Sequence, residues 1–205
     1  MTNGLAPKIN FGIARDGTVG WALCLDSAPA TVERCSFVGT RVTAHNAKDT
    51  DGSVVWANRA CTFRNCFWTG TRGGPNGTGS NGTGAGNLTV SLGSTVTCLV
   101  ENCTFAYNSI NGGVCAGVNV LGGNLTVRNM IFHGNVGDNR IMAADVWLKS
   151  SSARAAASYA IFDATNSAHV GGVSGSAVTF GDGILTGDPL FWTPTESAID
   201  VERGT

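Results

Sequence analysis

Charge is what this 205-residue chain has least of: Lys, Arg, Asp and Glu make up 13% and nearly cancel, leaving −1. Without a basic face there is nothing to neutralise a phosphate backbone, so nucleic acid is not an expected partner. No run of like charges marks a solvating tail. Proline is scarce, at 5 residues, and no apolar run approaches the roughly 20 residues of a membrane-spanning helix. The opening stretch MTNGLAPKINFG lacks the basic start and apolar run of a secretory signal. The chain is therefore expected to be cytoplasmic, exported by another route, or part of something longer. What is abundant is Gly, 29 residues, beside 42% hydrophobic content. Gly destabilises helix interiors, and so much apolar material argues against disorder. The combination suits many short strands joined by tight turns.

One phrase recurs. Centred on Cys35, Cys66, Cys103, Met130 and Ala160, it places Val32, Phe63, Val100, Val127 and Ala157 three residues earlier. Phe37, Trp68, Phe105, Phe132 and Phe162 stand two residues later. Just before the centre come Arg34, Asn65, Asn102, Asn129 and Tyr159, and five before it Ala30, Cys61, Cys98, Leu125 and Ala155. The anchors lie about 30 residues apart, with the extra length in insertions such as TRGGPNGTGSNGTGAG at 71–86.

The spacing describes two strands and a bend. Positions −5 and −3 share one face, as do 0 and +2, because side chains alternate along a strand. Between −3 and 0 the parity breaks, which a straight strand does not tolerate. A bend at −1 restores the inward direction, and Asn suits it by entering the left-handed region readily. Further strands are expected at 21–25, 53–57, 87–92, 117–121 and 145–149. Units of this length, stacked about 4.8 Å apart, make an all-β, right-handed parallel β-helix of about five to six coils. Like then stacks on like, with an Asn ladder of Asn65, Asn102 and Asn129, a Cys ladder of Cys35, Cys66 and Cys103, and an aromatic ladder of Phe37, Phe105, Phe132 and Phe162 around Trp68. A leucine-rich repeat would need leucines at fixed offsets where this chain has Val, Phe and Cys. The whole of 1–205 is expected to be one domain, with 1–18 and 184–205 as caps or continuations, since open ends expose strand edges and invite self-association.

At these residues the chain resembles the right-handed parallel β-helix proteins of the pectate-lyase-like superfamily, and within it the repetitive bacterial surface branch that includes the chlamydial polymorphic outer-membrane proteins. Phe105-Ala-Tyr-Asn108 and Phe132-His-Gly-Asn135 match that branch's F-x-x-N motif, and Gly112-Gly113-Val114 approximates its G-G-A-[ILV]. GDPLF (187–191) and SAID (197–200) are similar to segments that precede the C-terminal anchor of bacterial surface β-helix proteins. The resemblance implies an extracellular or cell-surface setting and a larger exported protein. It does not select an activity, because the fold hosts lyases, hydrolases, tailspikes and adhesins.

The most polar constellation, HNAKDTDGS at 45–53, holds the catalytic candidates His45, Lys48, Asp49 and Asp51. Such a group could bind calcium or act on a uronate polysaccharide, whose lysis needs a base and charge neutralisation; a solvated loop is the plainer reading. The N-T-D, D-D and G-H-G motifs of the related polygalacturonases are missing. The C-x4-C pairs 61/66 and 98/103 invite zinc, but buried thiols acting as small hydrophobes fit the columns better. His133 and His169 have no obvious carboxylate partner along the sequence. Trp147, between Val146 and Leu148, is expected to face outward and offer its ring to a sugar. The expectation is a surface scaffold or adhesin-like module that binds a polysaccharide or surface protein and uses no cofactor beyond calcium. The alternative is a polysaccharide lyase or glycoside hydrolase acting on an acidic polymer.

Overall fold

The computed structural model describes residues 22–39, 41–42, 54–73, 87–110, 115–137 and 144–190. Every regular element among them is a strand. The first repeat contributes β1 (Leu23–Leu25), β2 (Ala30–Glu33), β3 (Ser36–Val38) and β4 (Arg41–Val42). The second contributes β5 (Val55–Ala57), β6 (Cys61–Arg64), β7 (Phe67–Thr69) and β8 (Arg72–Gly73). The third has β9 (Leu88–Ser91), β10 (Thr97–Glu101), β11 (Thr104–Ala106) and β12 (Ser109–Ile110). Then follow β13 (Val118–Gly122) with β14 (Asn124–His133), β15 (Val146–Leu148) with β16 (Arg154–Phe162), and β17 (Val170–Gly172), β18 (Ala177–Phe180) and β19 (Leu185–Thr186). The expected strands at 21–25 through 145–149 thus match β1, β5, β9, β13 and β15.

Each strand pairs in parallel with its counterpart one repeat away. The first sheet runs β1-β5-β9-β13-β15-β17. In the second, ten-stranded, β2, β6 and β10 line up with the first half of β14 and β3, β7 and β11 with its second half, while β16 pairs along its other edge, so the sheet curls round the bend. A third, short sheet holds β4, β8 and β12. The bend is where the sequence put it: Arg34, Asn65, Asn102, Asn129 and Tyr159 all have positive φ, between 51° and 55°. The Asn129 amide donates to Asn102 Oδ1 at 3.0 Å, so part of the Asn ladder is a hydrogen-bonded surface column.

Inside, the +2 residues stack as rings. Phe37, Trp68, Phe105, Phe132 and Phe162 follow one another at centroid separations of 4.9, 4.3, 5.3 and 5.0 Å, within 13° of parallel. Trp68, Phe105, Phe132 and Phe162 are completely buried. Each such side chain contributes about 1.5–3 kcal/mol by leaving water, and each stacked pair about 0.5–1.5 kcal/mol more. Cys66, Cys103 and Met130 fill the column beside them, while Cys35 at its end is only half-buried. Residues 185–186, within the stretch expected to be a C-terminal cap or continuation, form a strand paired with β16. Residues 1–18 and 191–205 lie outside the described residues. No helix among the described residues is long and apolar enough to cross a membrane.

Candidate functional site

The repeat also carries a polar column. Five residues past the centre, where the chain leaves the second sheet, stand Thr71, Asn108 and Asn135, all buried. Asn108 Oδ1 accepts from the Thr71 backbone N–H at 3.1 Å, and Asn135 Oδ1 accepts from the Asn108 N–H at 3.2 Å and from its side-chain amide at 2.9 Å. The same amides donate to the Trp68 and Phe105 carbonyls. Thr71 donates on to Asn87 Oδ1 at 2.6 Å, and Asn87 to the Ala116 carbonyl. An unpaired buried amide would cost about 1–3 kcal/mol, so the column persists because each member satisfies the next.

The column ends on charge. Asn135 donates to Asp145 Oδ1 at 2.9 Å, and Asp145 Oδ2 lies 3.0 Å from His169 Nδ1. Asp145 is fully buried, and His169 is the residue immediately before β17, as Asp145 is before β15. Burial pushes the Asp145 carboxyl above its ordinary value, against the hydrogen bonds from His169 and Asn135. The Asp145 hydrogen bond raises His169 in turn, against its own partial burial.

A second imidazole–carboxylate pair stands nearby on the outer side of the second sheet. His133 Nδ1 is 2.6 Å from Asp163 Oδ1, and Asp163 Oδ2 accepts from the Gly134 N–H at 2.7 Å. His133 Nε2 faces Asp188 Oδ1 at 3.8 Å. A carboxylate fixed by a backbone donor favours a proton on Nδ1 and turns Nε2 toward Asp188. The ring of Tyr107 meets His133 edge-on at 5.3 Å. Gly134 is required beneath it, since its φ is 60° and a Cβ there would lie 2.6 Å from the tyrosine ring. Both histidines, read from sequence as unpartnered, therefore have carboxylate partners. An imidazole oriented in this way, with exposed Asp188 across from it, can take a proton from a ligand hydroxyl or hold that hydroxyl by hydrogen bonds.

A third charged feature runs across β2, β6, β10 and β14. Glu33, Arg64, Glu101 and Arg128 occupy the same repeat position with alternating sign. Glu101 is buried between Arg64 and Arg128, bonded to both, and Arg64 reaches Glu33 at 3.6 Å. The Arg128 hydrogen bond, followed by that of Arg64, holds the Glu101 carboxyl below its ordinary value.

The remaining candidates fall elsewhere. His45, Lys48, Asp49 and Asp51 lie outside the described residues. Trp147 is corrected: its neighbours Val146 and Leu148 do face the main core, but its own ring is only 7% exposed and packs with Cys115 and Val173. A ring so covered offers no face to a sugar. The cysteines are free thiols. Burial raises Cys24 to about 11 and pushes Cys115 up as well, as expected of apolar packing rather than reactive sulfur. No cluster of His, Cys, Asp and Glu among the described residues could hold a metal ion. Set against known protein families, curated proteins and solved structures, the chain finds no match in any of the three.

Proposed function

We infer that the chain is a right-handed parallel β-helix of about five to six coils, as its repeat length leads one to expect. It serves as an extracellular or cell-surface scaffold of adhesin type, part of a larger exported protein, and binds a glycan along one edge. One observation carries this reading. The connections that differ in length, from β4 to β5, β8 to β9 and β12 to β13, all leave the third sheet and return to the first, so they share one edge of the stack. The interior behind that edge is filled by stacked rings and by the bonded column of Asn108 and Asn135. A regular stack that gathers its long insertions on one edge is the arrangement of a repeat protein that binds through them.

The test is to present the purified chain, with and without calcium, to acidic and neutral polysaccharides, following retention on immobilised polymer, unsaturated-uronate absorbance and new reducing ends. Retention without cleavage, lost when 74–86 is replaced by a short Gly-Ser turn, is the expected result. Cleavage of any polymer would overturn it in favour of the second reading, a polysaccharide lyase or glycoside hydrolase. The His133–Asp163–Asp188 group favours that second reading, because an oriented imidazole beside an exposed carboxylate is acid–base equipment. In that case His133→Gln would abolish cleavage while leaving the unfolding midpoint within a few degrees.

A further inference from the structure

The sulfur atoms of Cys61 and Cys98 lie 3.1 Å apart. That is inside the separation of about 3.5–4.0 Å at which even the smaller carbon atoms meet without bonding. The two residues are direct register partners on β6 and β10. Strands so paired run about 4.7–4.9 Å apart, within the Cα range of about 4.4–6.8 Å that a disulfide spans. Their column continues into Ala30 on one side and Leu125 on the other, so neither neighbour offers a competing sulfur.

The second thiol column is set differently. Cys35 donates to the Glu33 carbonyl at 3.4 Å, Cys66 to the Arg64 carbonyl at 3.3 Å and Cys103 to the Glu101 carbonyl at 3.1 Å. Those thiols meet backbone carbonyls, Cys66 also that of Val32 at 3.5 Å, and the Cys66 N–H donates to the Cys103 sulfur at 3.3 Å. The Cys61 thiol instead meets the sulfur of Cys98 across the strand boundary.

We propose that Cys61 and Cys98 are a site of disulfide formation, a covalent staple between the second and third repeats that is closed by exchange with a low-molecular-weight disulfide. Cys61 is the more accessible of the two, at 5% against 0%, and attacks first. Its thiolate displaces one reagent thiol and leaves a mixed disulfide on Cys61. Cys98 then attacks the Cys61 sulfur and expels the second reagent thiol, which leaves with the Cys98 proton. Two protein thiols and one reagent disulfide become one protein disulfide and two reagent thiols. The order follows from the environment of Cys98, whose thiol is held well above its ordinary range by the Cys61 hydrogen bond and by burial. Formation of the mixed disulfide removes that hydrogen bond. The pair lies 37 residues apart in the chain, so the bond closes a long loop that includes the 74–86 insertion and restricts the unfolded state. This inference does not depend on what the protein binds.

The experiment uses the full chain, once native and once refolded from urea, each in oxidised glutathione. Free thiols are then alkylated under denaturing conditions without reductant, and peptides are mapped by mass spectrometry. Of the seven cysteines, five should be alkylated, with a single linked peptide joining Cys61 to Cys98. The thermal midpoint should rise and fall back on reduction. The variant Cys66→Ser should keep the link and Cys61→Ala should lose it. Seven alkylated thiols in both arms, a glutathione adduct on Cys61 that never resolves, or a link within the Cys35, Cys66 and Cys103 column would overturn the proposal.

Discussion

Two columns run side by side through this molecule and solve one stacking problem by opposite means. The aromatic column stacks rings from Phe37 to Phe162, each against the next at 4.3–5.3 Å. The polar column, three residues further along each repeat, stacks Thr71, Asn108, Asn135 and, at its end, Asp145 with His169. Both are buried. Rings need only shape and contact, so the column tolerates exchange of one aromatic for another. Amides need a specific donor for each acceptor, so removing one member strands its neighbours. The comparison separates what volume can replace from what it cannot.

The largest effect should come from the aromatic side. Trp68→Ala leaves a void between Phe37 and Phe105 and should cost about 3–5 kcal/mol in urea unfolding, with the slope unchanged. Trp68→Phe should cost far less than the alanine variant, because the buried Trp68 Nε1 has no hydrogen-bond partner to lose. If the two substitutions were equally harmful, the column would depend on more than shape.

The polar side is broken by a substitution that conserves volume. Asn135→Leu removes donors to the Phe105 carbonyl and Asp145 and the acceptor of Asn108, and should destabilise by about 1–3 kcal/mol, read by the same unfolding curve. A neutral result would show that amide and apolar filling are interchangeable here. Smaller again is the bend. Asn102→Val and Asn129→Val, at φ 53° and 52°, should each cost about 1–2 kcal/mol, while Asn102→Gly should be nearly silent.

The smallest effects are those of pH, and the two charged features carry opposite signs. His169 is raised above its ordinary 6.5, so the stability it contributes is complete below pH 6.5 and drains away as pH rises through its folded value. Asp145 is raised above 3.8, so its charge becomes a cost as pH climbs past that value, in the same direction. Wild type should therefore lose more unfolding free energy than His169→Gln between about pH 6 and about pH 9. Glu101 is lowered below 4.5; its contribution is present above pH 4.5 and is lost as pH falls through the folded value. Glu101→Gln should flatten the acid side of the stability profile and leave the alkaline side unchanged. A pH profile altered at the wrong end by either variant would contradict the assignment.

Much of this arrangement is readable in the sequence, because a stacked repeat converts offsets into contacts. Phase alone puts the five bend residues and the ring column where they are found. The same offsets contain the charged pairs. His133 and Asp163 both stand three past their centres, and Glu33, Arg64, Glu101 and Arg128 all stand two before theirs. Histidines judged by their sequence neighbours look solitary, whereas those judged by the next repeat do not. Asp145 and His169 share a position just ahead of first-sheet strands, outside the recurring phrase. Trp147 is different in kind. Strand alternation correctly turns it from the main core, but its burial depends on Cys115 and Val173, which no periodicity announces.

The most direct test of the two-column account is amide hydrogen exchange at single-residue resolution. The backbone N–H groups of Thr71 and Asn108 are each bonded to an Asn side-chain carbonyl one repeat on, whereas those of β11 are bonded in the sheet. If the polar column is as firmly ordered as the aromatic one, both amides should exchange only by global unfolding, with the same free energy as Phe105. Exchange of Thr71 and Asn108 through local opening, several kcal/mol below that of Phe105, would contradict it.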